Sequence, residues 1–598
     1  MPRWQIAAVA TILVAVALFH AGVNLIYLPR HALPDEEEYG FILGSIHLAE
    51  RFKDDPGQVL KSIWRSPHAV NGANLHAVAG ALAFRIYPAY RSLLATSTFF
   101  MLITLLFMFL VARDLAGWPA GLMAFVFASF FPVIFVWSRL FYCDVGLMMV
   151  ATVGCFFAVR SEGFTRLGYA AAYGAWLAIT PRFGWTVSDA MIALMAVGSP
   201  SLPVFLKGVW GEDGKRRRRA LVGVGIALAL FLIFFDHPWL FKAFDYLRYE
   251  GVELAGTKYA GGNLLLHPES VFAYLPVIYR VLASPAWSIA FLLALPLYLY
   301  RPSWKKITVL FWLALPLMIL SLVAKKNINY VHALVPAMAL VIAVALSELP
   351  RARLGKAASA IAAALVVVAV FQFSLITFYN EENRAKFSLT RLNDVQRFFE
   401  IRFPLHFVKR CQDSEFENMG RDVRELVTQT WPAKQPLSIL LLNDGAPSDN
   451  RLVQIYLRCA LSDRDLQIVD PHDLYMNFLT QELRDLAAKQ GLAQVAVTPL
   501  FTNAKSQTFD LVIRVRSPFS PGCDNIECEF FNNVESLWSD VAQTAWQADQ
   551  QTAVQKHIAA EMAAFVALHP PSDKTVASYF TCNRGGSIVT IEQPEILP

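Results

Sequence analysis

Charge is scarce in this chain. Asp, Glu, Lys and Arg make up 17% of its 598 residues, 56% are apolar, and the mean hydropathy is +0.42. That balance excludes an ordinary soluble protein of several globular domains. Motifs are missing as well. There is no HExxH, no GxxxxGK[ST] and no GxGxxG after a strand, so zinc proteolysis, ATP hydrolysis and dinucleotide chemistry lack their signatures. No N-x-[ST] sequon occurs, which fits a bacterial membrane better than a eukaryotic secretory one. The seven cysteines contain no CxxC. Cys143 and Cys155 lie in apolar runs, and Cys411, Cys459, Cys523, Cys528 and Cys582 lie in the tail. An outward-facing tail has the means to form one or two disulfides, with Cys523 and Cys528 the nearest pair, but spacing does not fix the pairing. The net charge of +5 is spread over short loops apart from the run Lys215 to Arg219. That run is a topology signal rather than a nucleic-acid patch.

Long apolar runs are what the chain does have. About eleven stretches approach the roughly 20 residues needed to cross a bilayer: residues 4–28, 91–111, 118–137, 145–159, 167–181, 184–206, 219–236, 284–300, 307–324, 331–349 and 357–378. The first is too long for the core of a signal peptide and lacks a small-residue cleavage site before Pro29, so it is read as a helix with the N-terminus inside. Arg113, Arg160, Arg166, Lys207, Arg301, Lys305, Lys306, Arg351, Arg353 and Lys356 then fall in inner loops, as the positive-inside rule requires. The outer side receives residues 29–90, the turns Arg139 to Asp144 and Pro181 to Gly184, residues 237–283, the turn Lys325 to Tyr330, and the tail. In the first outer loop Tyr39, Ile42, Ile46 and Ala49 recur at helical spacing, predicting a surface helix, and a second is expected over about 72–86. From residue 380 strand-like stretches (436–442, 466–470, 494–498, 509–515) alternate with helical ones (472–490 and about 535–567). The expected fold is a polytopic α-helical membrane domain over 1–378, followed by a soluble α/β domain over 379–598 on the outer, periplasmic side.

The unusual polar residues collect on that outer face. PDEEEY places Asp35, Glu36, Glu37 and Glu38 just outside the first span. These acids cap the surface helix or activate a hydroxyl nucleophile, and the two roles are compatible. Asp144, in SRLFYCDVG at the outer start of the fourth span, reads as an N-cap, as the partner of Arg139, or as a second catalytic acid. Lys325 and Lys326 stand in an outer turn where the positive-inside rule disfavours them, which an anionic ligand or snorkelling to headgroups explains. Arg182 in AITPRFGW suits bidentate phosphate binding or anchoring of its turn. His237 and His332 have the chemistry of ligands, but a satisfied helix-end histidine is the commoner reading, and no metal site is claimed from them.

In their order along the chain these features resemble the GT-C class of membrane glycosyltransferases, in the branch of the protein O-mannosyltransferases and the aminoarabinose transferases that modify lipid A. The likeness rests on the acidic pair Asp35 and Glu36 before a surface helix, RLFYCDVGLMM, AITPRFGW and KKNINYVHALVPAMAL, and it spans residues 1 to about 378. It implies a GT-C-like fold and a sugar donor carried on a polyprenyl phosphate, transferred at the outer face with inversion to a glycan, lipid or protein acceptor. Asp35 inherits the role of base or orienting carboxylate, with Glu36 beside it. Asp144 positions donor or acceptor, and Arg182, Lys325 and Lys326 steady the departing phosphate. Glu37, Arg139 and Tyr330 complete the candidate substrate contacts. A divalent cation stays open as an assistant, and a protein partner through 379–598 stays open too. A lipid or sugar transporter and a non-catalytic scaffold that recruits partners through its tail are the competing readings.

Overall fold

The structure is a computed structural model. It describes residues 3–28, 36–57, 59, 74–184, 187–210, 213–235, 272, 274–322, 328–349, 355–378, 414–432, 435–443, 447–470, 509–516, 575–581 and 587–592. The chain divides into two compact units, Met1–Tyr87 with Arg91–Arg410, and Pro88–Tyr90 with Cys411–Pro598.

The first unit is helical. Its elements are α1 (Arg3–Gly22), running on as a π-helical turn Val23–Tyr27, α2 (Glu36–Asp54), α3 (Leu75–Ile86), α4 (Tyr90–Ala116), α5 (Trp118–Ser129), α6 (Pro132–Trp137), α7 (Cys143–Arg160), α8 (Leu167–Ile179), α9 (Val187–Gly198), α10 (Ser201–Val209), α11 (Gly214–Phe234), α12 (Ser284–Leu299), α13 (Trp304–Leu322), α14 (Pro336–Glu348) and α15 (Gly355–Phe378). Each apolar stretch expected from the sequence carries a helix. Among the described residues, six helical segments are long and apolar enough to cross a membrane by length and composition: Trp4–Tyr27, Tyr90–Ala116, Cys143–Arg160, Asp189–Val209, Trp304–Ser321 and Gly355–Phe378. The stretch 118–137 breaks where Pro132, which lacks an amide proton, opens α6. The close hairpin from α4 to α5 is set by Gly117, whose φ of 87° only glycine adopts freely, followed by Pro119 in the first turn of α5.

Burial differs sharply between helices. In α14 every residue from Pro336 to Leu346 is buried, the signature of a helix that is apolar all round and packed on all sides; it lies against α5 and α12. By contrast α1 leaves Trp4, Val14 and Leu18 exposed, an apolar surface suited to lipid. Helices α8 and α11 approach closely because glycines line the contact. A side chain at Gly174 would overlap the Ala227 backbone, and one at Gly223 the Phe164 carbonyl. At the C-terminal end of α14, Lys306 Nζ reaches Glu348 Oε2 at 2.5 Å and donates to the carbonyls of Tyr298 and Arg301. Nearby in sequence logic, Arg160 donates to Asp114 Oδ1 at 2.9 Å. These are basic residues that the sequence assigns to the inner rim.

The stripe Tyr39, Ile42, Ile46 and Ala49 is buried, and α2 packs on α3. Its apolar face is therefore spent on protein. Asn74 opens α3 by accepting the Ala77 amide proton at 2.7 Å.

The second unit carries a five-stranded sheet in the order β2-β1-β3-β5-β4, formed by β1 (Leu437–Asn443), β2 (Leu466–Val469), β3 (Leu511–Arg516), β4 (Thr575–Thr581) and β5 (Ser587–Glu592), with α16 (Ser414–Thr430) and α17 (Pro447–Ala460). β2, β1 and β3 are parallel, and β5 and β4 join antiparallel. α17 supplies the crossover that parallel β1 and β2 require. Three of the expected strands are present, whereas β4 and β5 were not expected. The stretches 472–490, 494–498 and 535–567, with Cys523 and Cys528, lie outside the described residues.

Candidate functional site

The seven residues Ser138–Asp144, between the end of α6 and the first turn of α7, are held by elements from across the helical unit. Asn24, in the π turn after α1, donates to Ser138 O (3.3 Å) and Ser138 Oγ (3.1 Å), and also to Thr98 Oγ1 of α4 (3.2 Å). Arg139 donates to Thr377 Oγ1 of α15 at 2.6 Å. Glu38 of α2, fully buried, accepts the Phe141 amide proton at 2.5 Å. The Phe141 ring lies 4.6 Å from the His76 ring of α3, and the Tyr142 ring lies 4.4 Å from Phe41 of α2. Cys143 Sγ is 3.9 Å from Asp189 Oδ2 of α9. Asp144 Oδ1 is 2.7 Å from His332 Nδ1. The π turn after α1, helices α2, α3, α4 and α15, the start of α9 and the approach to α14 are thus tied to one short segment.

Asp144 is neither the N-cap of α7 nor the partner of Arg139. Tyr142 is the N-cap, and the carboxylate, 2% exposed, turns inward to His332, 0% exposed. A buried carboxylate needs a donor, and among the described residues the imidazole supplies it. The reading of His332 as a satisfied helix-end histidine is corrected accordingly: Nδ1 faces Asp144, while Nε2 is buried with no hydrogen-bond partner. Its ring also stacks obliquely on Trp137 at 4.6 Å.

Arg139 turns the other way. Its guanidinium lies 4.7 Å from the ring centroids of both Phe135 and Phe373, and no carboxylate among the described residues pairs with it. Burial pulls its pKa down to about 9, so it keeps its charge at neutral pH at a cost that an anion would relieve. The two rings lie 4.9 Å from each other, so they crowd the same side of the guanidinium, and among the described residues its buried Nε has no partner.

Arg182 is buried in the single 3-10 turn Thr180–Phe183, and Tyr330 in the turn Ile328–Val331, just before His332. Gly184 follows Arg182 because a side chain there would strike the backbone of Asp189 and Ala190. Glu36 and Glu37 fall in the first turn of α2, but their side chains, with Asp35, Lys325, Lys326 and His237, lie outside the described residues. Sequence reasoning missed two contributors to this segment, Glu38 as its tether and His332 as the partner of Asp144. Nothing in the local sequence around either one signals a partner so far along the chain.

Two expectations follow from the packing under Phe141. A side chain at Gly80 would overlap the Phe141 ring and press on Ser45 Oγ, so Gly80→Val is expected to destabilise the helical unit by about 1–3 kcal/mol through overpacking, read as a lowered Tm in detergent. His76 is completely buried and its pKa is pushed from 6.5 to about 3 by desolvation. A histidine held neutral in the fold binds its proton only when unfolded, so stability is full above the unfolded value and falls as pH drops from 6.5 toward 3. His76→Leu is therefore expected to show a smaller loss of Tm between neutral pH and pH 5 than wild type; an equal loss would place the acid sensitivity elsewhere.

The segment gathers carboxylates (Glu38, Asp144, Asp189), an imidazole and a guanidinium with no carboxylate partner among the described residues. That combination can accept a proton and hold a phosphate. Among the described residues no group of three or more His, Cys, Asp or Glu is placed to hold a metal ion.

No protein-family model matches the chain, and no curated protein matches it in sequence. In structure it is similar to ArnT from Cupriavidus metallidurans bound to undecaprenyl phosphate, with a TM-score of 0.52 and 15% identity over 98% of this chain and 99% of that one. The apo state of the same protein gives 0.52 and 16% over 99% and 100%. The likeness runs over both chains end to end, and the fold is that of the GT-C class.

Proposed function

We propose that this protein is a membrane glycosyltransferase that moves a sugar from a polyprenyl-phosphate donor to an acceptor at the outer face of a bacterial inner membrane, with inversion. The observation that carries the reading is the convergence on Ser138–Asp144 of two buried acids, Glu38 and Asp144, and a guanidinium without a carboxylate, on a fold shared with a protein whose structure holds undecaprenyl phosphate. A lipid-linked donor suits an enzyme without a nucleotide motif. Its chemistry asks for one group to take or orient the acceptor proton and for cations where charge grows on the departing phosphate.

In this reading the first outer loop supplies Asp35 and Glu36, with Asp35 as base or orienting carboxylate. Arg139, Arg182, Lys325 and Lys326 hold the phosphate, Glu37 and Tyr330 line the substrate, and residues 379–598 form a periplasmic domain that meets the acceptor or a partner. Asp35→Asn, purified in lipid discs, is expected to bind the donor as wild type does but to turn it over at least about a hundredfold more slowly. Equal turnover would remove Asp35 from the chemistry and leave the class standing.

A further inference from the structure

The buried pair at the start of α7 has the arrangement of a base and its orienting carboxylate. Asp144 Oδ1 at 2.7 Å from His332 Nδ1 calls for the proton on Nδ1, because a carboxylate accepts and does not donate. The neutral ring then carries its lone pair on Nε2. Among the described residues that nitrogen is buried without a partner, on a ring that is 0% exposed and packed against Trp137. Leaving a polar atom so placed costs stability, and a substrate hydroxyl would satisfy it. The chain brings His332 there with a purpose-built approach. The turn Ile328–Val331 carries Tyr330, and α14, buried on all sides, fixes the position of the residues before it.

We infer that His332 is the catalytic base of the transfer and Asp144 its positioning residue. This rests on the glycosyltransferase reading and deepens it by naming the proton acceptor and the acceptor class, a neutral hydroxyl. As the acceptor oxygen forms its bond to the anomeric carbon, its proton passes to Nε2 of His332. The bond from that carbon to the phosphate oxygen breaks, and its electron pair leaves with the polyprenyl phosphate. The Asp144 carboxylate opposes the imidazolium charge so formed, and the proton passes on to the released phosphate or to water. Asp35 is then left the orienting half of its two roles. An acceptor that is already an anion, such as a phosphate, would need none of this.

The test uses the full chain in lipid discs and a panel of polyprenyl-phosphate sugars, with water as the acceptor probe. His332→Gln keeps a side-chain amide able to donate to Asp144 but offers no base. The expected result is an unchanged donor Kd with kcat lower by about a hundredfold or more, and partial return of activity when imidazole is added to His332→Gly. Unchanged kcat in His332→Gln overturns the assignment and leaves the transferase reading standing. A loss of kcat that imidazole does not restore in His332→Gly, with donor affinity also lost, makes His332 structural and overturns it as well. No turnover of any donor by wild type removes the transferase reading, and this assignment with it.

Discussion

Asp144→Asn is expected to lower sugar transfer by about 10²–10⁴-fold, the range seen when a positioned acid–base group is removed, with donor affinity little changed. The substitution keeps the size of the side chain and an oxygen that can still accept from His332 Nδ1. It removes the negative charge that opposes the imidazolium and admits the wrong tautomer, because an amide nitrogen can donate to the ring. The position is 2% exposed, so bulk solvent compensates the lost charge poorly. Single-turnover consumption of a polyprenyl-phosphate sugar alongside donor binding measures both quantities. Unchanged consumption would reduce Asp144 to a fold-holding residue, whereas loss of binding and turnover together would mark it as a donor contact.

Arg139 is expected to act on the other quantity. A guanidinium packed against two phenyl rings, with no carboxylate partner among the described residues, can offer its N–H fork to a planar anion. Removing a charged hydrogen bond of about 1.5–3 kcal/mol weakens donor binding by about 10–100-fold. Arg139→Met keeps much of the packing against Phe135 and Phe373 and loses the charge, so the donor Kd should rise by that factor. Arg139→Lys keeps the charge without the fork and should fall between. If neither variant alters donor affinity, the guanidinium serves only to join α15 to the segment through Thr377.

How much of this was readable in advance depends on the range of the signal. The helices were readable because twenty-odd apolar residues are a local pattern, whereas the break at Pro132 was not expected, since 118–137 was read as one continuous span. The stripe Tyr39, Ile42, Ile46 and Ala49 announced a helix with one buried face, though not that the face would meet α3. Asp144 stood out because a carboxylate at the mouth of an apolar helix is unusual. Its partner did not, since His332 lies far along the chain and a single histidine before a helix has many ordinary explanations. Glu38 was readable as a helix-start acid, and only the fold shows that it accepts the Phe141 amide proton. In the second unit, SIVTIE after Gly585 and Gly586 carries an alternation that would have suggested β5. TVASYFT is weaker, and its strand depends on pairing with β5.

The most direct measurement of the central claim is release of polyprenyl phosphate from a panel of polyprenyl-phosphate sugars incubated with the purified wild-type protein in lipid discs. The anomeric configuration of the sugar product would be read by NMR in the same samples. The account predicts that one donor is consumed, that free lipid phosphate appears in step with it, and that the anomeric centre of the product is inverted. If no donor is bound or consumed while the protein captures a partner through residues 379–598, the transferase account is wrong and the chain is a scaffold on an enzyme's fold.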